Sequence, residues 1–167
     1  APGLRMHVAP STGQPRPVGE AIVDTMFRPG DEGRIPIAAV TGTNGKTTVT
    51  RFLAHMLRGT GKTVGMTCTD GIYLNERRVD SDDCSGPLSA GNVLMNPNVE
   101  MAVFETARGG ILRAGLGFDE CDVAVITNVG DGDHLGLNYI NTVEDLAKVK
   151  RVIVDVVSET GTAVLNA

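Results

Sequence analysis

Val40-Thr41-Gly42-Thr43-Asn44-Gly45-Lys46-Thr47-Thr48 is a glycine-rich segment that follows an apolar run and precedes a helical pattern. Its two glycines allow a tight turn that aims backbone N–H groups inward, and a helix starting near Lys46 directs the positive end of its dipole at an anion. In such a loop the lysine reaches the β- and γ-phosphates of a nucleotide, and the Thr47 hydroxyl ligates Mg²⁺. The segment therefore predicts a nucleotide-binding loop made by Gly42, Thr43, Asn44, Gly45, Lys46, Thr47 and Thr48.

The flanking sequence favours this interpretation over a glycine turn that merely caps an ordinary helix. The general phosphate-loop pattern has a glycine five residues before the lysine, where this chain has Thr41, so the match is to a shortened pattern. After the loop, apolar residues recur at helical spacing at Val49, Phe52, Leu53, Met56 and Leu57. Two glycines end this helix, and residues 62–67 predict the next strand. The loop is therefore expected in a strand–helix–strand unit, which is the context that such a motif needs.

The composition indicates one globular domain. The chain has 167 residues, of which 41% are apolar and 21% charged. A net charge of −5 without a lysine or arginine block argues against nucleic-acid binding, and no apolar run approaches the about 20 residues of a membrane span. Cys68, Cys84 and Cys121 form neither an even set nor a C-x-x-C pair, so we expect small buried thiols in a reduced, cytoplasmic protein.

Two regions are expected along the chain. Residues 1–33 predict a linker with a short helix over 18–27, and residues 34–167 predict the nucleotide-binding domain. Five of the eight prolines lie within the first 29 residues, which makes residues 1–17 a poor candidate for regular structure. The sequence starts on Ala1 rather than methionine and ends directly after an apolar run. We therefore expect a fragment of a larger protein, incomplete at its C-terminal end.

Strands and helices alternate through the rest of the sequence. Strands are predicted at 99–104, 122–127 and 162–165, a hairpin at 72–79, and helices at 87–95 and from Asn141 or Thr142 onward. The two longer strands are apolar enough to be buried on both faces. The fold class is therefore α/β: a wound, mainly parallel sheet flanked by helices, in a truncated mononucleotide-binding domain of the P-loop type.

Polar side chains follow the predicted strands at the edge where wound α/β sheets bind their ligands. Glu105 follows the third strand and is a hard oxygen ligand suited to Mg²⁺. Thr127 and Asn128 follow the fourth strand, and we expect Asn128 to contact the nucleotide. Asp133-His134 comes shortly afterwards, which makes His134 a candidate ligand. The sequence therefore predicts that three strand ends converge on the bound phosphates.

Arg108 and Arg113 flank a Gly-Gly turn after Glu105. Their guanidinium groups could hold a substrate carboxylate or phosphate through paired hydrogen bonds. A solvated surface role accounts for them equally well.

Together these motifs resemble the central ATPase domain of the Mur ligase superfamily, which includes the amino-acid-adding ligases of peptidoglycan synthesis and folylpolyglutamate synthase. The resemblance covers nearly the whole chain and rests on Thr41 to Thr48, Glu105, Thr127-Asn128 and Asp133-His134-Leu135-Gly136. Within the superfamily the chain resembles the cyanophycin synthetases in particular. The more selective part of this likeness is the run Glu-Thr-Ala-Arg-Gly-Gly-Ile-Leu-Arg at 105–113.

This resemblance implies an ATP-dependent amide ligase. In that family the Mur-like half uses ATP to convert an aspartate β-carboxylate of a polyaspartate polymer into an acyl phosphate. The α-amine of arginine then attacks and forms an isopeptide bond. The resemblance also implies an ATP-grasp half, which extends the aspartate backbone, and a further C-terminal domain, both outside this chain.

The resemblance also implies roles for individual residues. Lys46 would stabilise the transferred phosphoryl group, while Thr47 and Glu105 would hold one Mg²⁺ ion. His134 would help to hold a second ion near the reacting groups. Superfamily members often carry a carbamylated lysine at this second metal site, and the matching position here is Lys150.

Two other interpretations stay open. The chain could come from a peptidoglycan or folate ligase of the same superfamily. It could instead be a P-loop switch or regulatory module. Such modules usually carry a strand-end aspartate and, when they bind guanine, an Asn-Lys-x-Asp sequence, which is absent here. The sequence also leaves homo-oligomerisation open.

Overall fold

The computed structural model describes residues 7–8, 16–27, 30, 33–130, 135–136 and 139–166. The chain divides into two units, residues 1–34 and 35–167. The first unit contains two short antiparallel strands, β1 (His7–Val8) and β2 (Arg16–Pro17), and the helix α1 (Val18–Met26). The sequence predicted the helix, but it was wrong to predict no regular structure before it, because β1 and β2 pair through their backbones.

The second unit is built on a seven-stranded sheet. Its strands are β3 (Ile37–Thr41), β4 (Val64–Cys68), β5 (Gly71–Leu74), β6 (Arg77–Asp80), β7 (Met101–Glu105), β8 (Cys121–Ile126) and β9 (Val157–Leu165). The order across the sheet is β6-β5-β4-β7-β3-β8-β9. The strands from β4 to β9 in this order run parallel, and the β5–β6 hairpin adds two antiparallel strands at one edge. The predicted α/β class with a mainly parallel sheet is confirmed.

Helices cover both faces of this sheet. They are α2 (Lys46–Arg58), α3 (Pro87–Leu94), α4 (Arg108–Ala114) and α5 (Val143–Asp155). On one face, Ala54 of α2 packs with Val40 and Val103 from the two central strands. On the other face, Val93 of α3 and Ile153 of α5 share a core with strand residues. Because both faces are covered by apolar residues, the central strands carry little polarity along their length.

Most predicted elements are found close to their predicted bounds. Gly59 caps the C-terminal end of α2, and Thr142 caps α5 by accepting a hydrogen bond from the Asp145 N–H. The hairpin turns at Asn75, which adopts the left-handed conformation with φ 53°. The last strand is longer than predicted, since β9 begins at Val157 rather than near residue 162.

The helix α4 corrects the prediction of a Gly-Gly turn after Glu105. Gly109 and Gly110 lie within this helix, and Gly110 is buried. A Cβ atom on Gly110 would lie 3.2 Å from the Gly86 Cα atom, so the missing side chain lets α4 approach the loop before α3. These glycines therefore serve helix packing rather than a change of chain direction.

The cysteines agree with the prediction of small buried thiols, because Cys68, Cys84 and Cys121 are all free and buried. Burial raises the pKa of the Cys121 thiol to about 11, and the adjacent Asp122 and Glu120 act in the same direction. None of the helices in the described part of the chain combines the length and the apolar character that a bilayer span requires.

Candidate functional site

The predicted nucleotide-binding loop joins the end of β3 to the start of α2 at the carboxyl edge of the parallel strands. Gly42 has φ 151° and Gly45 has φ 82°, and both values favour glycine because other side chains would be strained there. Gly45 is also the N-cap residue of α2, so the helix begins at Lys46 with its first N–H groups at the loop. The loop therefore has the backbone shape that an anion site at a helix N-terminus requires.

Gly42 is needed for a second reason, which is its close approach to the end of β8. A Cβ atom at this position would collide with the Thr127 hydroxyl. That hydroxyl donates a 2.6 Å hydrogen bond to the Asn44 carbonyl oxygen and also lies 3.3 Å from the Thr41 carbonyl oxygen. Thr127 thus fixes the loop against the neighbouring strand.

Asn128 completes this attachment of the loop to β8. Its Oδ1 atom accepts a 2.9 Å hydrogen bond from the Asn44 N–H, and its Nδ2 atom donates at 3.0 Å to the Asn44 carbonyl oxygen. The Thr43 N–H donates at 2.9 Å to the Asn128 carbonyl oxygen, and the Gly130 N–H donates at 3.0 Å to the Thr43 hydroxyl. The structure therefore uses the Asn128 side chain to hold the loop backbone, while its predicted contact with a nucleotide stays a prediction.

Lys46 lies over the loop that precedes it. Its Nζ atom donates hydrogen bonds to the carbonyl oxygens of Gly42, at 3.0 Å, and Thr43, at 3.1 Å. The ammonium group is therefore close to the same turn whose N–H groups the helix start directs inward. Thr48, the last residue of the predicted loop, is exposed on the first turn of α2.

Thr47 and Glu105, the predicted metal ligands, are in direct contact. The Thr47 hydroxyl donates a 2.9 Å hydrogen bond to Oε2 of Glu105, which ends β7 and is only 2% exposed. Thr69, just beyond β4, donates to the same carboxylate from its backbone N–H at 3.2 Å and from its hydroxyl at 3.3 Å. The hydroxyls of Thr47 and Thr69 are 3.0 Å apart. Three elements therefore bring three oxygen-bearing side chains together.

This donor set fits a magnesium ion. It consists of one carboxylate and two hydroxyl groups, which are hard oxygen ligands of the kind that Mg²⁺ prefers. The carboxylate is buried but already accepts three hydrogen bonds, which compensate for its removal from water. Sequence reasoning missed Thr69, although its place directly after a strand that adjoins β7 is the signal that could have found it.

Lys150 and His134, the predicted second set of metal-binding and catalytic residues, are less fully described. Lys150 lies in α5 and is 1% exposed. A lysine so deeply buried requires polar or charged surroundings. His134 and the preceding residues 131–133 lie outside the described residues. The predicted roles of Lys150 and His134 therefore stay predictions.

Arg108 and Arg113 occupy the first and last turns of the short helix α4. The prediction that they flank a turn is wrong, because the segment between them is helical. Their suggested hold on a substrate carboxylate or phosphate stays a prediction.

The comparisons with known proteins agree with this geometry. The chain is 62% identical over all 167 residues to cyanophycin synthetase of Synechocystis sp. (strain ATCC 27184 / PCC 6803 / Kazusa) and covers 19% of that protein. It is 59% identical over the same length to cyanophycin synthetase of Geminocystis herdmanii (strain PCC 6308), again covering 19%. The chain thus spans about a fifth of the length of the curated relatives it matches.

Among solved structures, the chain is similar to a UDP-N-acetylmuramoyl-L-alanyl-D-glutamate–2,6-diaminopimelate ligase, with a TM-score of 0.63 and 26% identity. This likeness covers 79% of the chain and 26% of the ligase. Residues 40–167 match the family described as the Mur ligase middle domain. That match includes most of the phosphate loop, Glu105 and the end of β8, and the chain therefore belongs to the Mur ligase middle domain family.

Proposed function

We propose that this chain is the ATP-binding part of an ATP-dependent amide ligase that resembles cyanophycin synthetase. The observation that carries the proposal is the meeting of Lys46, Thr47 and Glu105 at one edge of the sheet, beside a glycine loop fixed to β8. The 62% identity to a cyanophycin synthetase over the full length of the chain supports the same family of reactions.

In this proposal the loop binds the phosphates of ATP. The N–H groups at the start of α2 and the positive end of its dipole attract the phosphate oxygens. The Lys46 ammonium group leaves its two loop carbonyls for the β- and γ-phosphates and neutralises charge there. Thr127 and Asn128 keep the loop in shape, so that little ordering is needed when the nucleotide binds.

Thr47 and Glu105 would hold Mg²⁺ in the proposed complex. When bound, the ion supplies positive charge that stabilises the phosphoryl group during its transfer. The Thr47–Glu105 hydrogen bond keeps both oxygen atoms on the same side of the loop. Lys150, in carbamylated form, and His134 are proposed to serve a second metal position.

The substrate proposed for the parent protein is a polyaspartate polymer. A carboxylate is a poor electrophile because its negative charge repels a nucleophile. Transfer of the γ-phosphoryl group from ATP to the aspartate β-carboxylate gives an acyl phosphate with a good leaving group. The α-amine of arginine then attacks the carbonyl carbon, phosphate leaves, and an isopeptide bond forms. We propose that further domains of the parent, an ATP-grasp half among them, bind the polymer and the amino acid.

The three free thiols support a reducing compartment, so we propose that the parent protein acts in the cytoplasm.

Two experiments test the proposal. Isothermal titration calorimetry of the chain with ATP and Mg²⁺ should give saturable binding that disappears without a divalent cation, and no heat of binding would contradict nucleotide binding. The parent protein should then release ADP when given polyaspartate with arginine. ADP release with UDP-muramyl peptide or folate instead would assign it to another Mur-type ligase. Nucleotide-dependent partner binding without ligation would indicate a regulatory module.

A further inference from the structure

Thr69 lies in the short turn between β4 and β5 and has a place in the site that Thr47 and Glu105 do not explain. Its side chain is exposed, so that an ion arriving from solvent can reach it. Its hydroxyl lies 3.0 Å from the Thr47 hydroxyl and 3.3 Å from each carboxylate oxygen of Glu105. It is therefore as close to both predicted metal ligands as they are to each other, within a few tenths of an ångström.

The three oxygen atoms form a triangle of a particular size. Its sides are 2.9 Å from Thr47 to Glu105 Oε2, 3.0 Å from Thr47 to Thr69, and 3.3 Å from Thr69 to Glu105 Oε2. In an octahedral Mg²⁺ site with ligands at about 2.0–2.1 Å, neighbouring oxygen atoms are about 2.9 Å apart. The triangle is therefore close to one face of such an octahedron, and small movements would complete the match.

The turn that carries Thr69 is held in place from two sides. Arg51 of α2 forms an ion pair with the Asp70 carboxylate, and Arg78 of β6 donates to the Asp70 carbonyl oxygen. Gly71 has φ 147°, and a Cβ atom there would collide with the Asp80 carbonyl oxygen. The Thr69 N–H also donates to Glu105. Thr69 is thus positioned before any ion binds, which reduces the entropic cost of using it as a ligand.

From this arrangement we infer that the Thr69 hydroxyl oxygen is a third protein ligand of the divalent cation, beside Thr47 and Glu105. The inference rests on the proposed function, because it assigns a further ligand to the same cation. It predicts that β4 as well as β3 and β7 contributes to the metal site. The positions left open would be filled by water and by oxygen atoms of the nucleotide.

The test uses Mn²⁺ as a spectroscopic probe of the intact chain with ATP. Electron paramagnetic resonance titration gives the Mn²⁺ affinity, and samples in ¹⁷O-labelled water give the number of water molecules on the ion. The variant Thr69→Val keeps the shape of the side chain and removes the oxygen. We expect it to weaken Mn²⁺ binding about tenfold and to add one water molecule to the ion. Thr69→Ser keeps the oxygen and should behave as the wild type.

Thr67→Val is the matched control, since it makes the same change on β4 at a buried hydroxyl that has no hydrogen-bond partner among the described residues. It should leave Mn²⁺ affinity and hydration unchanged. Equal affinity of Thr69→Val and wild type would overturn the inference. Weaker binding with an unchanged water count would also overturn it, and would make Thr69 a positioning residue. If the wild type itself binds no Mn²⁺ with ATP, the proposed function fails as well, which separates the two failures.

Discussion

The amide side chain of Asn128 forms two hydrogen bonds with the backbone of Asn44, although 84 residues separate them in the sequence. One bond satisfies the N–H group and the other the carbonyl oxygen of the same residue. A loop that must keep its other N–H groups available for an anion is thereby held from outside. The side chain that a sequence motif suggests as a nucleotide contact has a structural task in the phosphate loop.

The first prediction concerns this pair. Asn128→Ala should lower the free energy of unfolding by about 1–3 kcal/mol, because two hydrogen bonds are lost and the Asn44 groups keep only Thr127 as a partner. Nucleotide affinity should fall as well, since the loop becomes less ordered. Urea unfolding and calorimetry measure the two effects. Asn92→Ala, at an exposed position in α3, is the control and should change stability by less than about 0.5 kcal/mol. Equal stability of the two variants would contradict the structural role.

The second prediction separates two glycines of the loop. Gly45→Ala introduces a left-handed alanine into open space and should cost roughly 1–2 kcal/mol of stability. Gly42→Ala adds a collision with the Thr127 hydroxyl to backbone strain and should cost more, above about 2 kcal/mol. Chemical denaturation of both variants gives the comparison. A Gly42 variant that is as stable as the Gly45 variant would show that the loop can move away from β8 easily.

The third prediction tests the charge of Lys46. Lys46→Met keeps the length of the side chain but removes its ammonium group, so ATP should bind at least about tenfold more weakly. Lys62→Met is a matched control, because Lys62 precedes β4, whereas the loop follows the carboxyl end of β3, and Lys62 forms only an exposed ion pair with Glu100. Calorimetry with ATP and Mg²⁺ should find wild-type affinity in this control. Similar losses in both variants would indicate a general charge effect rather than a contact at the loop.

The fourth prediction concerns alkaline pH. In the unfolded chain the Cys121 thiol loses its proton near its ordinary pKa of 9.0, whereas burial raises the folded pKa to about 11. The stabilising contribution is therefore complete below pH 9 and is lost as the pH rises from about 9 to 11, by up to about 1.4 kcal/mol for each unit of pH. Urea unfolding at pH 8 and pH 10.5 measures this loss. Cys121→Ala has no thiol to titrate, so its stability should decline less over the same interval, and an equal decline would refute the assignment.

Much of the fold follows from local sequence patterns. The loop at 42–48 and the helix after it are predictable because glycine, lysine and apolar spacing act within a few residues of one another. The nearness of Glu105 to the loop also follows, since parallel strands end at the same edge of a sheet. Here topology alone is sufficient, and the 2.9 Å contact with Thr47 confirms that the two residues meet.

The features that the sequence did not predict depend on packing between distant segments. Thr69 carries no motif, and its contact with Glu105 arises from the parallel register of β4 and β7. The helix α4 was missed because glycine disfavours helices, whereas the close approach to Gly86 makes glycine the residue that fits there. The hydrogen bonds of Asn128 likewise require β8 to lie beside β3, which no local pattern specifies.

The central position of β3 also bears on how the protein acquires its activity. Thr41, at the end of this strand, bonds to Thr106 and to Thr127, which follow it by 65 and 86 residues. A nascent chain that has emerged only as far as the phosphate loop lacks both of these partners. Contacts so far apart in sequence form late in folding. Nucleotide therefore stabilises only molecules whose inner strands have already assembled, by mass action, and cellular ATP would act as a selective stabiliser of correctly completed molecules.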